Sequence, residues 1–316
     1  MNIFRVILYN FISGSFCLVY GVNTLGKGLE QLNQKSLKRI LFFSCGNVYK
    51  AFLSSTVITA IIQSSTAVTV TMVGLVNSGL MNLTQAAGVI YGSNIGTTVT
   101  AQLMTINIRG FSWIIILFGF MLKAMGKTKA LRATGKAFLG MGLMFTGIGI
   151  LHSGVPFLQE SRMVYNLFQS YGNNVLIAVL LGMVSTMVVH SSSATVAISI
   201  LLYDGDLIDI YGACGLMLGS NIGTCISAQL VALRSSVSAK RSAWIHTFYN
   251  VICVILTLIF INPFINSVSF LTFLMRQEQG RLVANAHTLF NVLSALLFLP
   301  LTRYYIKFIE WVIPEN

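Results

Sequence analysis

The sequence predicts an all-α polytopic membrane protein built from two inverted repeats. Three observations support this fold class. Hydrophobic residues make up 55% of the 316 residues and charged residues only 9%, with a mean hydropathy of +0.79, whereas a soluble domain carries about 25% charged residues. Apolar segments of membrane-spanning length recur along the chain. A polar motif also occurs twice at a fixed spacing.

The two copies of this motif, which we call the tips, lie 127 positions apart. The first tip is Gln63, Ser64, Ser65 and Thr66, and the second is His190, Ser191, Ser192 and Ser193. An identical six-residue run follows each tip at the same distance, at 92–97 and at 219–224. Aligned without a gap, residues 63–104 and 190–231 are identical at 16 of 42 positions, which indicates an internal duplication.

The first half begins with a predicted span at 3–26, a polar and basic loop at 27–39, and a short interfacial piece at 40–45. The apolar arms around the first tip, 51–62 and 67–80, are each too short for a membrane core that needs about 20 residues. We therefore predict a re-entrant helical hairpin, because non-helical backbone at membrane depth must be satisfied by protein or by a water-filled cavity. A helix at 83–106, interrupted at 92–97, and a span at 111–125 follow.

The second half repeats this order. It contains a span at 137–151, a polar connection at 152–174, a hairpin with arms at 175–189 and 194–203, an interrupted helix at 210–233 and a span at 243–262. A final helix at 282–300 has no counterpart in the first half. The predicted organisation is a first repeat at 1–126, a second at 127–265, and an extra helix with a short tail at 266–316.

The basic residues indicate the orientation in the membrane. If each hairpin returns to its own side, each half crosses three times and the second half is inverted. The loops on one predicted side, with the C-terminal tail, carry 15 of the 20 Lys and Arg residues. By the positive-inside rule this side is cytoplasmic, with the N-terminus outside and the tips near the midplane. Such an arrangement is typical of secondary transporters. The net charge of +12 thus reflects the membrane and not nucleic acid.

The chemistry of the tips is neutral. No Asp or Glu occurs between Glu30 and Glu160, and none lies in either tip or interrupted helix, which argues against a proton relay of membrane carboxylates and against carboxylate-bound metals. Hydroxyl and amide oxygens suit a sodium ion, and helix N-termini suit an oxyanion. The residues predicted to bind an oxyanion such as phosphate are the eight tip residues. The predicted sodium ligands are Gln63, Ser65, Asn94, Thr97, Thr98, Ser192, Asn221 and Thr224.

The tip at 63–66, the stretch 73–79 and the run 92–98 resemble the sodium/phosphate cotransporter type II family, whose hallmark is a QSSS motif in each of two inverted repeats. The resemblance covers about residues 10–300. It implies sodium-dependent phosphate import by alternating access, with phosphate and sodium bound at the tips. Thr66 replaces the last Ser and keeps the hydroxyl, whereas His190 replaces Gln and adds a titratable ring. The resemblance implies a bacterial inner-membrane location and no cofactor besides the coupling ion. Some bacterial relatives carry a cytoplasmic PhoU-like extension, and we expect none here.

Other functions remain open at this stage. The same scaffold could carry another oxyanion, export phosphate or couple to protons through His190, since histidine titrates near pH 6.5. A passive anion channel would not need a cation site. An intramembrane serine hydrolase using Ser191 or Ser192 would not need two motifs, so we expect no enzyme. The other histidines and the scattered cysteines are predicted to be structural, without a disulfide or a metal site: His152, His246, His287, Cys17, Cys45, Cys214, Cys225 and Cys253.

Overall fold

The computed structural model describes residues 3–43, 47–106 and 109–315. Within these ranges the chain forms fourteen α-helices and no strand, which confirms the predicted all-α class. Five helices are long and apolar enough to cross a membrane by length and composition. These are Arg5–Gln34, Lys129–Glu160, Ile210–Ala232, Val237–Ile259 and Gln279–Val312. Six further apolar helices are shorter, and four of them are the predicted hairpin arms.

The helices of the first half are α1 (Ile3–Phe43), α2 (Val48–Ile62), α3 (Ser65–Asn77), α4 (Leu83–Met104) and α5 (Ser112–Met125). Those of the second half are α6 (Lys129–Glu160), α7 (Arg162–Leu167), α8 (Val175–Val189), α9 (Ser192–Asp204), α10 (Ile210–Gly223), α11 (Ile226–Ala232) and α12 (Val237–Ile259). Two more complete the chain, α13 (Ile261–Leu274) and α14 (Leu282–Val312). The predicted arm 175–189 coincides with α8.

Several predicted loops are helical instead. Helix α1 continues through 27–39, so the basic loop predicted there is wrong; the stretch lacks proline and is rich in Leu, Gln and Lys, which favour helices. Of the predicted interfacial piece 40–45, residues 40–43 belong to α1 and the rest lie outside the described residues. Helix α6 extends into the predicted connection, α13 fills much of the predicted loop 263–281, and α14 continues into the predicted tail.

Helix α4 corrects the predicted interruption at 92–97, because it runs unbroken from Leu83 to Met104. The hydroxyls of Thr97 and Thr98 donate to carbonyls of their own helix, those of residues 93 and 95, so these polar side chains do not require an unwound backbone. In the second half the helix does break, at 224–225, between α10 and α11.

By packing, the described chain divides into two compact units. Unit A draws on Met1–Leu32, Thr100–Gly223 and Ile261–His287, and contains the second tip. Unit B draws on Asn33–Val99, Thr224–Phe260 and Thr288–Asn316, and contains the first tip. Each unit combines segments from both predicted repeats, and the repeat boundaries and their inverted relation stay a prediction.

Unit A is built on close contacts between helices. A Cβ atom on Gly21 of α1 would lie 2.3 Å from the backbone nitrogen of Met144 in α6, and one on Gly28 would lie 2.5 Å from that of Ala137. The pairing therefore runs antiparallel, with α6 seated directly on the α1 backbone. Small residues that let helix backbones approach in this way are typical of membrane proteins.

Unit B has an aromatic core that joins α4, α12 and α14. The ring centroids of Tyr91 and Tyr249 lie 4.7 Å apart, those of Tyr249 and Phe298 5.0 Å apart, and those of Phe298 and Tyr305 4.9 Å apart. The hydroxyl of Tyr305 donates to the backbone carbonyl of Ile245 at 2.7 Å. Tilted and edge-to-face ring pairs of this kind stabilise a packed core beyond the area they bury.

Candidate functional site

The two hairpin tips have the same backbone conformation. Gln63 ends α2 at φ 57° and ψ 30°, and His190 ends α8 at φ 54° and ψ 30°. The backbone N–H of Gln63 donates to the carbonyl of Thr59, and that of His190 to the carbonyl of Thr186, both at 2.8 Å. This left-handed region disfavours residues with a side chain, so both tips hold a strained residue at the matching position.

Each tip then begins a new helix with a serine cap. Ser64 and Ser191 are extended, at φ −145° and −146°, and their hydroxyls accept from the backbone N–H groups of Ala67 and Ala194 at 3.2 and 3.3 Å. The remaining N–H groups of the first turn have no acceptor within their own helix. Each tip thus presents main-chain donors and the positive end of a helix dipole, which favour an anion.

The tip side chains differ in exposure. Ser65 and Ser191 are buried, each 8% exposed, whereas His190 is exposed. The side-chain amide nitrogen of Gln63 donates to the carbonyl of Ala60, which folds that side chain back over α2. Partly exposed hydroxyls complete both tips, those of Ser64, Thr66, Ser192 and Ser193.

A helix with a row of glycines packs against the first arm of each hairpin. In unit B, α4 runs parallel to α2: Cβ atoms on Gly88, Gly92 and Gly96 would lie 2.5, 2.1 and 2.7 Å from the carbonyl oxygens of Val48, Phe52 and Thr56. In unit A, α10 runs parallel to α8: Cβ atoms on Gly215, Gly219 and Gly223 would lie 2.7, 2.0 and 2.5 Å from the carbonyl oxygens of Val175, Val179 and Met183. Every residue in one set is 127 positions from its counterpart in the other. The repeated glycines therefore mark a helix contact, which sequence reasoning interpreted as unwinding.

The two hairpins differ in one hydrogen bond between their arms. Thr186 of α8 donates to the hydroxyl of Thr195 in α9 at 2.9 Å. Thr59 occupies the place of Thr186 in the first hairpin, but Val68 occupies the place of Thr195. The buried hydroxyl of Thr59 accordingly has no hydrogen-bond partner among the described residues. A buried polar group without a partner costs free energy. The first hairpin therefore lacks a stabilising hydrogen bond between its arms that the second hairpin has.

The predicted sodium ligands fall into both units. Unit A contains Ser192 and Asn221, and unit B contains the others: Gln63, Ser65, Asn94, Thr97, Thr98 and Thr224. Asn221 donates from its amide to the carbonyl of Met217 within α10, at 3.0 Å. Asn94 instead donates across helices, to the side-chain oxygen of Asn250 in α12, at 2.8 Å. The two asparagines therefore have equivalent sequence positions but different partners.

Sequence reasoning missed Asn250. It lies in the middle of a long apolar helix and is completely buried. Besides accepting from Asn94, its amide nitrogen donates to the sulfur of Cys225, at the break between α10 and α11, at 3.1 Å. A single amide inside an apolar span was the available signal, because polar residues within membrane segments are costly and mark functional or structural contacts.

The other histidines lie away from the tip sequences. His152 of α6 lies 3.0 Å from the carboxylate of Asp204 at the end of α9, and His246 and His287 are buried. The cysteines within the described residues form no disulfide bond, and Cys45 lies outside those residues. No group of three His, Cys, Asp or Glu side chains able to hold a metal ion occurs within the described ranges.

Comparison with known proteins identifies the family. The model of the family described as "Na+/Pi-cotransporter" matches residues 17–153 and 155–296. "Uncharacterized protein YqeW" of Bacillus subtilis is 32% identical over 311 residues, 98% of this chain and 100% of that protein. "Putative inorganic phosphate export protein YjbB" is 24% identical in Salmonella typhimurium and 23% identical in Escherichia coli K12, over 98% of this chain. The aligned region is 56% of the length of those two relatives.

No solved structure gave a significant match to the chain. The family match covers most of the sequence in two successive stretches, and together they include both tips and both glycine-lined helices. The chain therefore belongs to the Na+/Pi-cotransporter family, a family of membrane transporters and not of enzymes.

Proposed function

We propose that this protein carries inorganic phosphate across a bacterial plasma membrane by sodium-coupled alternating access. The observation that carries the proposal is the pair of tips, each a left-handed residue followed by a serine-capped helix N-terminus. The family name supports sodium and phosphate together, and the names of the YjbB relatives support phosphate.

Main-chain N–H groups and hydroxyls of each tip would bind phosphate. In the first tip these belong to Gln63, Ser64, Ser65 and Thr66, and in the second to His190, Ser191, Ser192 and Ser193. Helix N-termini bind oxyanions without needing a cationic side chain. The absence of acidic residues from the first turns of α3 and α9 avoids repulsion of the anion.

Sodium would be bound by neutral oxygens at and near the tips. Thr97 and Thr98 donate their hydroxyl hydrogens to helix carbonyls, and a hydroxyl that donates still has lone pairs for a cation. The remaining candidates offer a hydroxyl or an amide oxygen: Gln63, Ser65, Asn94, Ser192, Asn221 and Thr224. The bound positive charge would also offset the charge of the phosphate, which couples the two ligands energetically.

The direction of transport follows from the coupling. With the usual inward sodium gradient a symporter brings phosphate into the cell, which is the direction we propose. Export is the second candidate, because the YjbB relatives are named for phosphate export. The bias of basic residues supports a cytoplasmic C-terminus and an external N-terminus in either case.

The test is uptake of radiolabelled phosphate by proteoliposomes that contain the purified protein. One arm has an inward sodium gradient, and the other has potassium in place of sodium. Accumulation above the bath concentration only in sodium supports symport. Loss of preloaded phosphate driven by an inward sodium gradient, with no inward accumulation, supports export. Equal flux in both salts contradicts sodium coupling.

A further inference from the structure

Four groups of unit B form a buried chain of hydrogen bonds that connects the two Gly-Ser-Asn-Ile-Gly-Thr runs. The chain consists of Asn94 in α4, Asn250 in α12, Cys225 at the α10–α11 break, and the backbone carbonyl of His246 in α12. We call it the amide–thiol chain. Asn94 belongs to the first run, and Cys225 directly follows the second.

The geometry of the amide–thiol chain is continuous. The amide nitrogen of Asn94 lies 2.8 Å from the side-chain oxygen of Asn250, and the amide nitrogen of Asn250 lies 3.1 Å from the sulfur of Cys225. That sulfur lies 3.5 Å from the carbonyl oxygen of His246. Asn250 is completely buried, Cys225 is 2% exposed and Asn94 is 6% exposed, so water does not compete strongly for these bonds.

The carbonyl acceptor at the end of the amide–thiol chain determines the direction of each hydrogen bond in it. A backbone carbonyl can only accept, so the thiol of Cys225 donates to His246 and its sulfur accepts from Asn250. Asn250 must then present its nitrogen to the sulfur and its oxygen to Asn94. Asn94 consequently donates from its nitrogen, and its amide oxygen stays outside the chain. Among the described residues, this donation is the side-chain hydrogen bond that Asn94 makes.

The orientation of an asparagine amide decides which ligand it can bind. Hard cations are bound by carbonyl oxygens, whereas an amide N–H₂ group repels them. We infer that Asn250 is a positioning residue, which holds the side-chain oxygen of Asn94 toward a sodium ion and links that ion to the α10–α11 break through Cys225. This inference rests on the sodium coupling proposed above and assigns to Asn250 a role in sodium affinity without contact with phosphate.

A purely structural role for Asn250 makes a different prediction. Loss of a packing contact would lower the stability of unit B and affect the sodium and phosphate dependence alike. Loss of amide orientation raises the sodium concentration needed for transport, while phosphate affinity at saturating sodium is preserved. The two dependences therefore separate the roles.

The test measures phosphate uptake by proteoliposomes over a range of sodium concentrations at saturating phosphate, and over a range of phosphate concentrations at saturating sodium. Asn250→Leu removes both hydrogen bonds of the amide. Cys225→Ala and Cys225→Ser form a second pair, because serine keeps a group that both donates and accepts. The matched control is Ser242→Ala: Ser242 is also completely buried in α12, and its hydroxyl donates to the backbone carbonyl of Ala239 in its own helix.

Asn250→Leu is expected to raise the half-saturating sodium concentration at least tenfold, with less than a twofold change for phosphate. Cys225→Ala is expected to raise it at least threefold, and Cys225→Ser to stay within twofold of the wild type, as does Ser242→Ala. If Asn250→Leu fails to fold, the two cysteine variants decide. If the variants shift the sodium and the phosphate dependence equally, or if no variant changes the sodium dependence, the positioning role alone is overturned. A wild-type flux independent of sodium overturns the proposed coupling and this role together.

Discussion

Gln63 and His190 have the same left-handed backbone, with φ of 57° and 54° and an identical ψ of 30°. Each joins the end of one helix to the serine that caps the next. Holding a residue with a side chain in this region costs on the order of 1 kcal/mol or more, and such strain is found at functional sites. The two tips therefore have matching backbone conformations at equivalent positions of the two hairpins.

Replacing Gln63 with glycine tests whether transport needs the side chain that is held in this strained conformation. Glycine adopts the left-handed region without penalty, so Gln63→Gly is expected to raise the free energy of unfolding by up to about 1 kcal/mol while lowering phosphate uptake at least tenfold. The thermal midpoint in detergent and the uptake rate measure the two effects. Arg276→Gly is the control, since Arg276 has a φ of 53° in the α13–α14 connection; it should gain stability and keep its uptake. Wild-type uptake by Gln63→Gly would contradict a ligand role for the side chain.

The hydroxyls of Ser65 and Ser192 occupy matching positions at the start of α3 and α9. We expect Ser65→Ala and Ser192→Ala each to abolish sodium-driven uptake, because each removes an oxygen assigned to both phosphate and sodium. Size-exclusion profiles and membrane yield should match the wild type. Ser54→Ala is the control, since the Ser54 hydroxyl donates to the carbonyls of Lys50 and Ala51 in its own helix. Uptake near the wild-type rate by both tip variants would contradict the assignment of these two hydroxyls as ligands.

Alanine substitutions at Gly92 and Gly74 distinguish a glycine needed for close helix packing from one that only adds flexibility to the unfolded chain. A Cβ on Gly92 would lie 2.1 Å from the carbonyl oxygen of Phe52, whereas one on Gly74 in α3 would meet nothing within 4 Å. Gly92→Ala should lower the free energy of unfolding by about 1–3 kcal/mol or more, because α2 and α4 must move apart. Gly74→Ala should raise it by roughly 0.5–1 kcal/mol. Thermal melts of both variants compare the two, and similar midpoints would contradict the tight α2–α4 contact.

The sequence was sufficient for the all-α class and for the helices that flank each tip, since α8 coincides with the predicted arm 175–189. These followed from apolar runs that end at clustered polar residues. The glycines of 92–97 were misjudged, because a glycine that permits close approach of α2 looks the same in sequence as one that permits unwinding. Local composition also gave no indication that 27–39 continues α1, because a polar surface helix and a polar loop have similar residues.

Asn250 shows a further limit of sequence reasoning about the site. Its partner Asn94 is 156 positions away, and nothing local to either residue predicts their contact. The tips could be identified because they are duplicated, whereas Asn250 has no counterpart within the aligned copies. Pairwise contacts between distant segments follow from packing, and only the folded structure supplies them.

The most direct test of the central claim is equilibrium binding of radiolabelled phosphate to the purified protein, measured in sodium and in potassium at equal ionic strength. If the tip residues bind phosphate together with sodium, phosphate binds in sodium and at least tenfold more weakly in potassium, and its binding is lost in Ser65→Ala and in Ser192→Ala. Equal phosphate binding in both salts, retained in both variants, would contradict it.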